Sequence, residues 1–152
     1  SIELYPRDKN ETDLELAIAK AIELDPKEII IVAALGGRLD QTIANIALLS
    51  DIRLSTFNVQ LDDGVEEIFF CRDQVKIHGK SEDIVSLIPW GGMVTGVQTE
   101  NLKWRLSHET LHPEKARGIS NEMTDDTATV KIQTGLLLII HRRQSSSVNP
   151  KS

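Results

Sequence analysis

The sequence predicts a parallel α/β region followed by an all-β region. Three observations carry that prediction. Helix, strand, glycine turn and helix succeed one another in the first third of the chain; the strand in that series is an unbroken aliphatic run; and beyond about Ser50 only short apolar runs occur, without helical period.

Thr12 followed by Glu15 fits a capping box, and Leu14, Ala17, Ile18, Ala21 and Ile22 recur at helical spacing. A helix is therefore expected from about Asp13 to Leu24, ended by Asp25-Pro26. Within Glu28 to Ala34, the succession Ile29, Ile30, Ile31, Val32 reads as a strand buried on both faces, and Gly36-Gly37 breaks it. A second helix is expected from Leu39 to Leu49 with Ile43, Ile46 and Ala47 turned inward. The segments Thr56 to Leu61, Val65 to Cys71, Val75 to His78, Ile84 to Ile88, Met93 to Val97, Thr127 to Gln133 and Leu136 to Ile140 then read as β runs of a sandwich or flattened barrel. The seam falls near Asp62 to Gly64, giving an α/β domain over residues 1–63 and a β domain over 64–144. From Ser145, three serines and a proline with little apolar content predict a disordered tail over 145–152.

With 40% hydrophobic and 26% charged residues in 152, the chain can build one core or two small abutting ones. A net charge of −6 argues against nucleic-acid or anionic-membrane partners, whose phosphates need a basic surface. No apolar run reaches the roughly 18 residues of a membrane span. A lone cysteine, Cys71, excludes an intramolecular disulfide and suits a reducing compartment, so a cytoplasmic location is expected.

Gly36-Gly37-Arg38-Leu39-Asp40 stands where a strand meets a helix, and free amides there favour an anion, phosphate above all. Adjacent glycines let main chain approach a ligand, Arg38 can fork onto phosphate oxygens, and Asp40 can hold a magnesium-bound water or orient a hydroxyl. The bland alternative is a plain turn with a solvated Arg38–Asp40 pair. Thr12 and Asp13 suit helix capping as well as chemistry. His108-Glu109-Thr110-Leu111-His112 matches the zinc-protease pattern HExxH, but Pro113 disfavours the helix that pattern needs. Trp104, between Leu102 and Leu106, reads as a core residue, and Ser120-Asn121 as a turn. His78, His141 and Cys71 stand apart in sequence and are expected to be structural or exposed.

In order along the chain, these pieces resemble the thiamine pyrophosphokinase family. Lys9-Asn10-Glu11-Thr12-Asp13 is similar to its K-D-x-T-D stretch, and Gly36 through Asn45 to G-G-R-x-D-H-x-x-x-N. Ser86-Leu87-Ile88-Pro89 resembles S-L-I-P, Gly96 through Trp104 resembles G-V-T-T-x-G-L-K-Y, and Arg117 through Glu122 matches R-G-I-S-N-E. The resemblance implies the C-terminal part of a Rossmann-like ATP domain, then a jelly-roll-like antiparallel β-sandwich that binds thiamine, in a homodimer with active sites between subunits. It implies pyrophosphoryl transfer from ATP, with Mg²⁺, to the thiamine hydroxyl.

By the same resemblance Asp13 holds Mg²⁺, and Asp13, Arg38 and Asp40 act in catalysis. Lys9, Thr12, Gly36, Gly37, Arg38, Asp40 and Asn45 line the nucleotide site, while Thr99, Leu102, Ser120 and Asn121 face thiamine. The family's upstream G-D-F-D-S stretch and its first βα units are not found in this sequence, so impaired turnover is expected; a noncatalytic thiamine-binding or dimerisation module is the alternative. Asn101 stands where the family has Gly and must accept any positive φ that Gly supplies.

Overall fold

The computed structural model describes residues 1–4, 11–32, 35 and 37–144, and for residues 11–13 the backbone alone. The expected tail over 145–152 lies outside the described residues. The chain divides into two compact units, Ser1–Phe70 and Cys71–Ser152. Among the described residues it is mostly β-sheet, with two α-helices.

The first unit runs β1 (Ile2–Leu4), α1 (Glu11–Glu23), β2 (Glu28–Val32), α2 (Leu39–Leu49), a 3₁₀ turn (Ile52–Leu54), β3 (Asn58–Asp62) and β4 (Glu66–Cys71). β1 pairs with β2 and β2 with β3, both parallel, while β4 is antiparallel to β3. A short strand, β1, precedes α1. The helix starts at Glu11, earlier than predicted, so Thr12 falls inside the first turn and not at the cap.

Leu14, Ile18 and Ala21 form the buried stripe of α1, at the predicted spacing. Its end is built as the sequence suggests: Leu24 N–H reaches Ala21 O at 3.1 Å, and Asp25 takes a left-handed φ of 47° before Pro26.

Two expectations about burial are corrected. Ile29 and Ile31 are buried, but Ile30 and Val32 are only half-buried. In the order β1-β2-β3, right-handed crossovers carry both helices to one face of these strands, so only alternate residues of β2 meet helix. On α2, Ile46 and Leu49 are buried whereas Ile43 and Ala47 are exposed. The inward arc runs through Ile46 and Leu49, with Thr42 half-buried between them, and at 100° per residue Ile43 and Ala47 lie beyond its edge.

The second unit contains β5 (Gln74–His78), β6 (Ile84–Pro89), β7 (Val94–Glu100), β8 (Glu109–Leu111), β9 (Asn121–Glu122), β10 (Thr127–Lys131) and β11 (Leu137–Arg142). They pair antiparallel in the orders β11-β6-β9 and β5-β10-β7-β8. Alternate side chains fill the core, among them Val85 and Leu87, Ala128 and Val130, Leu137 and Ile139. The unpredicted strands β1, β8 and β9 have two or three residues each, too few to display a period.

A buried polar pair sits in this unit. His141 is fully buried, with Nε2 2.7 Å from Asp83 Oδ2. Asp83 also accepts from Lys80 N at 3.0 Å and Gln144 N at 2.9 Å, joining the turn before β6 to the end of β11. Gly79 packs against the pair so closely that a Cβ there would lie 2.6 Å from Asp83 Oδ2 and 2.7 Å from His141 Nε2.

Candidate functional sites

The first candidate is the start of α2. Arg38 occupies the N-cap position in extended conformation (φ −68°, ψ 128°) and offers no side-chain cap. Its guanidinium instead forks onto Asp40, with Nε donating to Oδ1 at 3.2 Å and Nη2 to Oδ2 at 2.6 Å. Asp40 Oδ1 also accepts Gln41 N–H at 2.8 Å. One exposed carboxylate therefore collects two guanidinium donors and a first-turn amide, the donor set a phosphate oxygen seeks at such a place.

The Arg38 fork, followed by the Gln41 amide, holds the Asp40 carboxyl below its usual range, and Asp40 in turn raises Arg38. Both groups are charged at neutral pH. A Cβ at Gly37 would meet nothing within 4 Å, leaving open space beside the main chain. Asn45 is half-buried seven residues beyond Arg38, on the same side of the helix. Lys9, Gly36 and the side chains of Thr12 and Asp13 lie outside the described residues.

The second candidate is the turn between β7 and β8. Leu102 and Leu106 are buried on either side of Trp104, whose side chain is 50% exposed. The core placement of Trp104 is thus corrected. Leu102, Trp104 and Leu106 alternate as a strand would, but the segment forms no strand beyond the Leu102–Met123 bridge, so period two does not carry Trp104 inward.

Thr99 at the end of β7, Leu102 in the turn and the more distant Asn121 meet here. Thr99 Oγ1 accepts Leu106 N–H at 2.9 Å, and Thr99 N–H donates to Leu106 O at 3.0 Å. Asn121 Oδ1 accepts Trp104 N–H at 3.0 Å while its Nδ2 donates to Trp104 O at 2.8 Å. Lys103 N–H donates to Glu122 O at 2.8 Å. The Lys103 ammonium lies 4.8 Å from the Trp104 ring centroid and 3.8 Å from Glu122 Oε2.

Ser120 is exposed at φ 59°, its N–H donating to Ser86 Oγ at 3.1 Å. Asn101 adopts φ 63°, the conformation expected of a Gly substitute, and its Nδ2 donates to Thr127 O at 3.0 Å.

Within the HExxH segment Glu109–Leu111 forms β8, and no part of it is helical. His108 Nε2 lies 2.8 Å from Gln98 Nε2, and Glu109 is forked by Arg117 at 3.0 and 3.2 Å. Among the described residues no three His, Cys, Asp or Glu side chains converge as a metal site; Asp13, the expected Mg²⁺ ligand, is not among the side chains described. Burial pushes the Cys71 thiol up to about 12, which removes it as a nucleophile at neutral pH.

Comparison with known proteins bears on both sites. A family model described as "Thiamin pyrophosphokinase, catalytic domain" matches residues 1–61, the region of Asp13, Arg38 and Asp40. A second, "Thiamin pyrophosphokinase, vitamin B1 binding domain", matches residues 74–137, the region of Thr99, Trp104 and Asn121. Thiamine pyrophosphokinase of Bacillus subtilis (strain 168) is 27% identical over 142 residues, covering 92% of this chain and 66% of that protein. The crystal structure of thiamine pyrophosphokinase from Bacillus subtilis superposes with a TM-score of 0.80 at 25% identity, over 91% of this chain and 65% of that one. For that from Geobacillus thermodenitrificans the TM-score is 0.77 at 24% identity, over 94% and 66%. The chain therefore spans just under two thirds of the length of these relatives. With two successive domain models of one family matched in order and the same fold in the solved relatives, the chain belongs to the thiamin pyrophosphokinase family.

Proposed function

We propose that this chain transfers pyrophosphate from ATP, supplied as its magnesium complex, to the hydroxyl of thiamine, giving thiamine diphosphate and AMP. The observation that carries this is the Trp104 ring, half-exposed on a turn fixed by part-buried hydrogen bonds. Lys103 already places a cation on that ring, and thiamine brings a flat aromatic cation of the same charge.

In this reading residues 1–63 form a partial Rossmann-like nucleotide domain and residues 64–144 a thiamine-binding β-sandwich, working as a homodimer in the cytoplasm. The thiamine hydroxyl oxygen bonds to the β-phosphorus, the bond from that phosphorus to the oxygen of AMP breaks, and the hydroxyl proton leaves to a base. Such chemistry is mostly positioning and charge neutralisation. Arg38 exchanges the Asp40 carboxylate for phosphate oxygens, helped by the amides at the start of α2 and the space at Gly37. Asp40, released, stands ready to orient the hydroxyl, with Asp13 as the further carboxylate. Lys9, Thr12, Gly36 and Asn45 complete the nucleotide side, and Leu102 and Ser120 the thiamine side.

Chromatography of a reaction holding ATP, Mg²⁺ and thiamine tests the proposal. AMP and thiamine diphosphate are expected in equal amounts. ADP together with thiamine monophosphate, or ATP consumption indifferent to thiamine, would overturn it.

A further inference from the structure

We propose that Thr99 and Asn121 are positioning residues that fix the Trp104 ring and do not themselves contact thiamine. The inference rests on thiamine binding at Trp104 and changes the role that sequence resemblance gives these two side chains.

Both are withdrawn from solvent, Thr99 at 2% and Asn121 at 5% exposure, while the ring they serve is half-exposed. The Asn121 amide grips both main-chain groups of Trp104, accepting its N–H at 3.0 Å and donating to its C=O at 2.8 Å. Its oxygen is further occupied by Glu122 N–H at 2.9 Å. One side chain thereby replaces a neighbouring strand, giving Trp104 the pair of bonds a β-ladder would give it.

Thr99 works at the other end of the turn. Its hydroxyl oxygen accepts Leu106 N–H at 2.9 Å, and its own N–H meets Leu106 O at 3.0 Å. Leu102 and Leu106, buried at 6% and 1%, pin the main chain on both sides. Main chain held at each end, with the ring left outside, is a preorganised aromatic platform. The Asn121 oxygen takes two main-chain amides and the Thr99 oxygen one, so both side chains act inside the turn.

A double-mutant cycle separates the two roles. With thiamine binding read by calorimetry on the full chain, Asn121→Ala is expected to weaken affinity about tenfold, the loss of roughly one hydrogen-bonded constraint. In a Trp104→Ala background the same change is expected to cost less than about twofold. Equal losses in both backgrounds would mean that Asn121 touches thiamine and would overturn the proposal. A Trp104→Ala chain that binds thiamine as well as the wild type would instead sink the underlying assignment of the ring.

A ligand-free readout keeps the two outcomes distinct. In a Trp90→Phe chain Trp104 is the sole tryptophan, excited selectively at the red edge of the absorption band. Acrylamide quenching of its fluorescence is expected to rise in Asn121→Ala and Thr99→Val and to return to the parent value in Thr99→Ser, with circular dichroism unchanged. Quenching that ignores Asn121→Ala and Thr99→Val overturns the proposal whatever thiamine does.

Discussion

Asp83→Ala should lower the unfolding free energy by about 3–5 kcal/mol, the range for removing one member of a buried polar pair. His141 has no solvent exposure, and its Nε2 lies 2.7 Å from the lost carboxylate. The part-buried Lys80 and Gln144 amides lose their acceptor in the same change, which adds to the loss. Urea denaturation followed by circular dichroism measures the loss. A drop below about 1 kcal/mol would show that the pair is dispensable.

The effect should depend on pH in a defined direction. Burial alone would push the Asp83 carboxyl up, but hydrogen bonds from Gln144, His141 and Lys80 outweigh it and hold the carboxyl below its ordinary value. The unfolded chain therefore takes up this proton first. Stability from Asp83 is complete above the unfolded carboxyl value, about pH 4, and is lost as pH falls through the lower folded one. Wild type and Asp83→Ala should thus converge in acid; a gap unchanged down to acid pH would contradict this account of the pair.

Arg38→Ala should weaken Mg-ATP binding about 10- to 100-fold, as expected for removal of charge-assisted hydrogen bonds to phosphate. The Arg38–Asp40 pair is exposed on both sides, so the unfolding midpoint should hardly move. Arg38→Lys should recover only part of the affinity, because an ammonium supplies charge without the planar fork. Calorimetric titration with Mg-ATP reads both. Unchanged affinity in Arg38→Ala would remove the start of α2 from the nucleotide site.

The parts of the fold written in repeating patterns were legible in the sequence. The stripe Leu14, Ile18, Ala21 and the bounds of α2 follow from helical spacing, and most β runs from turn residues between aliphatic clusters. Asn101 at positive φ could be foreseen from the Gly it replaces. What escaped is set by partners distant in the chain. His141 and Asp83 lie 58 residues apart and meet only across the folded unit.

The site divides in the same way. Arg38 and Asp40 are near neighbours in sequence, and their geometry is local. Trp104 was misread because alternation with Leu102 and Leu106 is the mark of a strand. The side chain that turns it outward comes from Asn121, 17 residues later. The flanking Lys103 and Arg105 were the available hint, since charged neighbours on both sides suit an exposed turn.

The vitamin's place on the indole is tested most directly by titrating thiamine onto wild type and Trp104→Ala in parallel. The account predicts that the variant binds thiamine at least about tenfold more weakly, the loss of an aromatic stacking and cation–π surface, with Mg-ATP affinity intact. Equal thiamine affinity in the two chains, or none in the wild type, would contradict it.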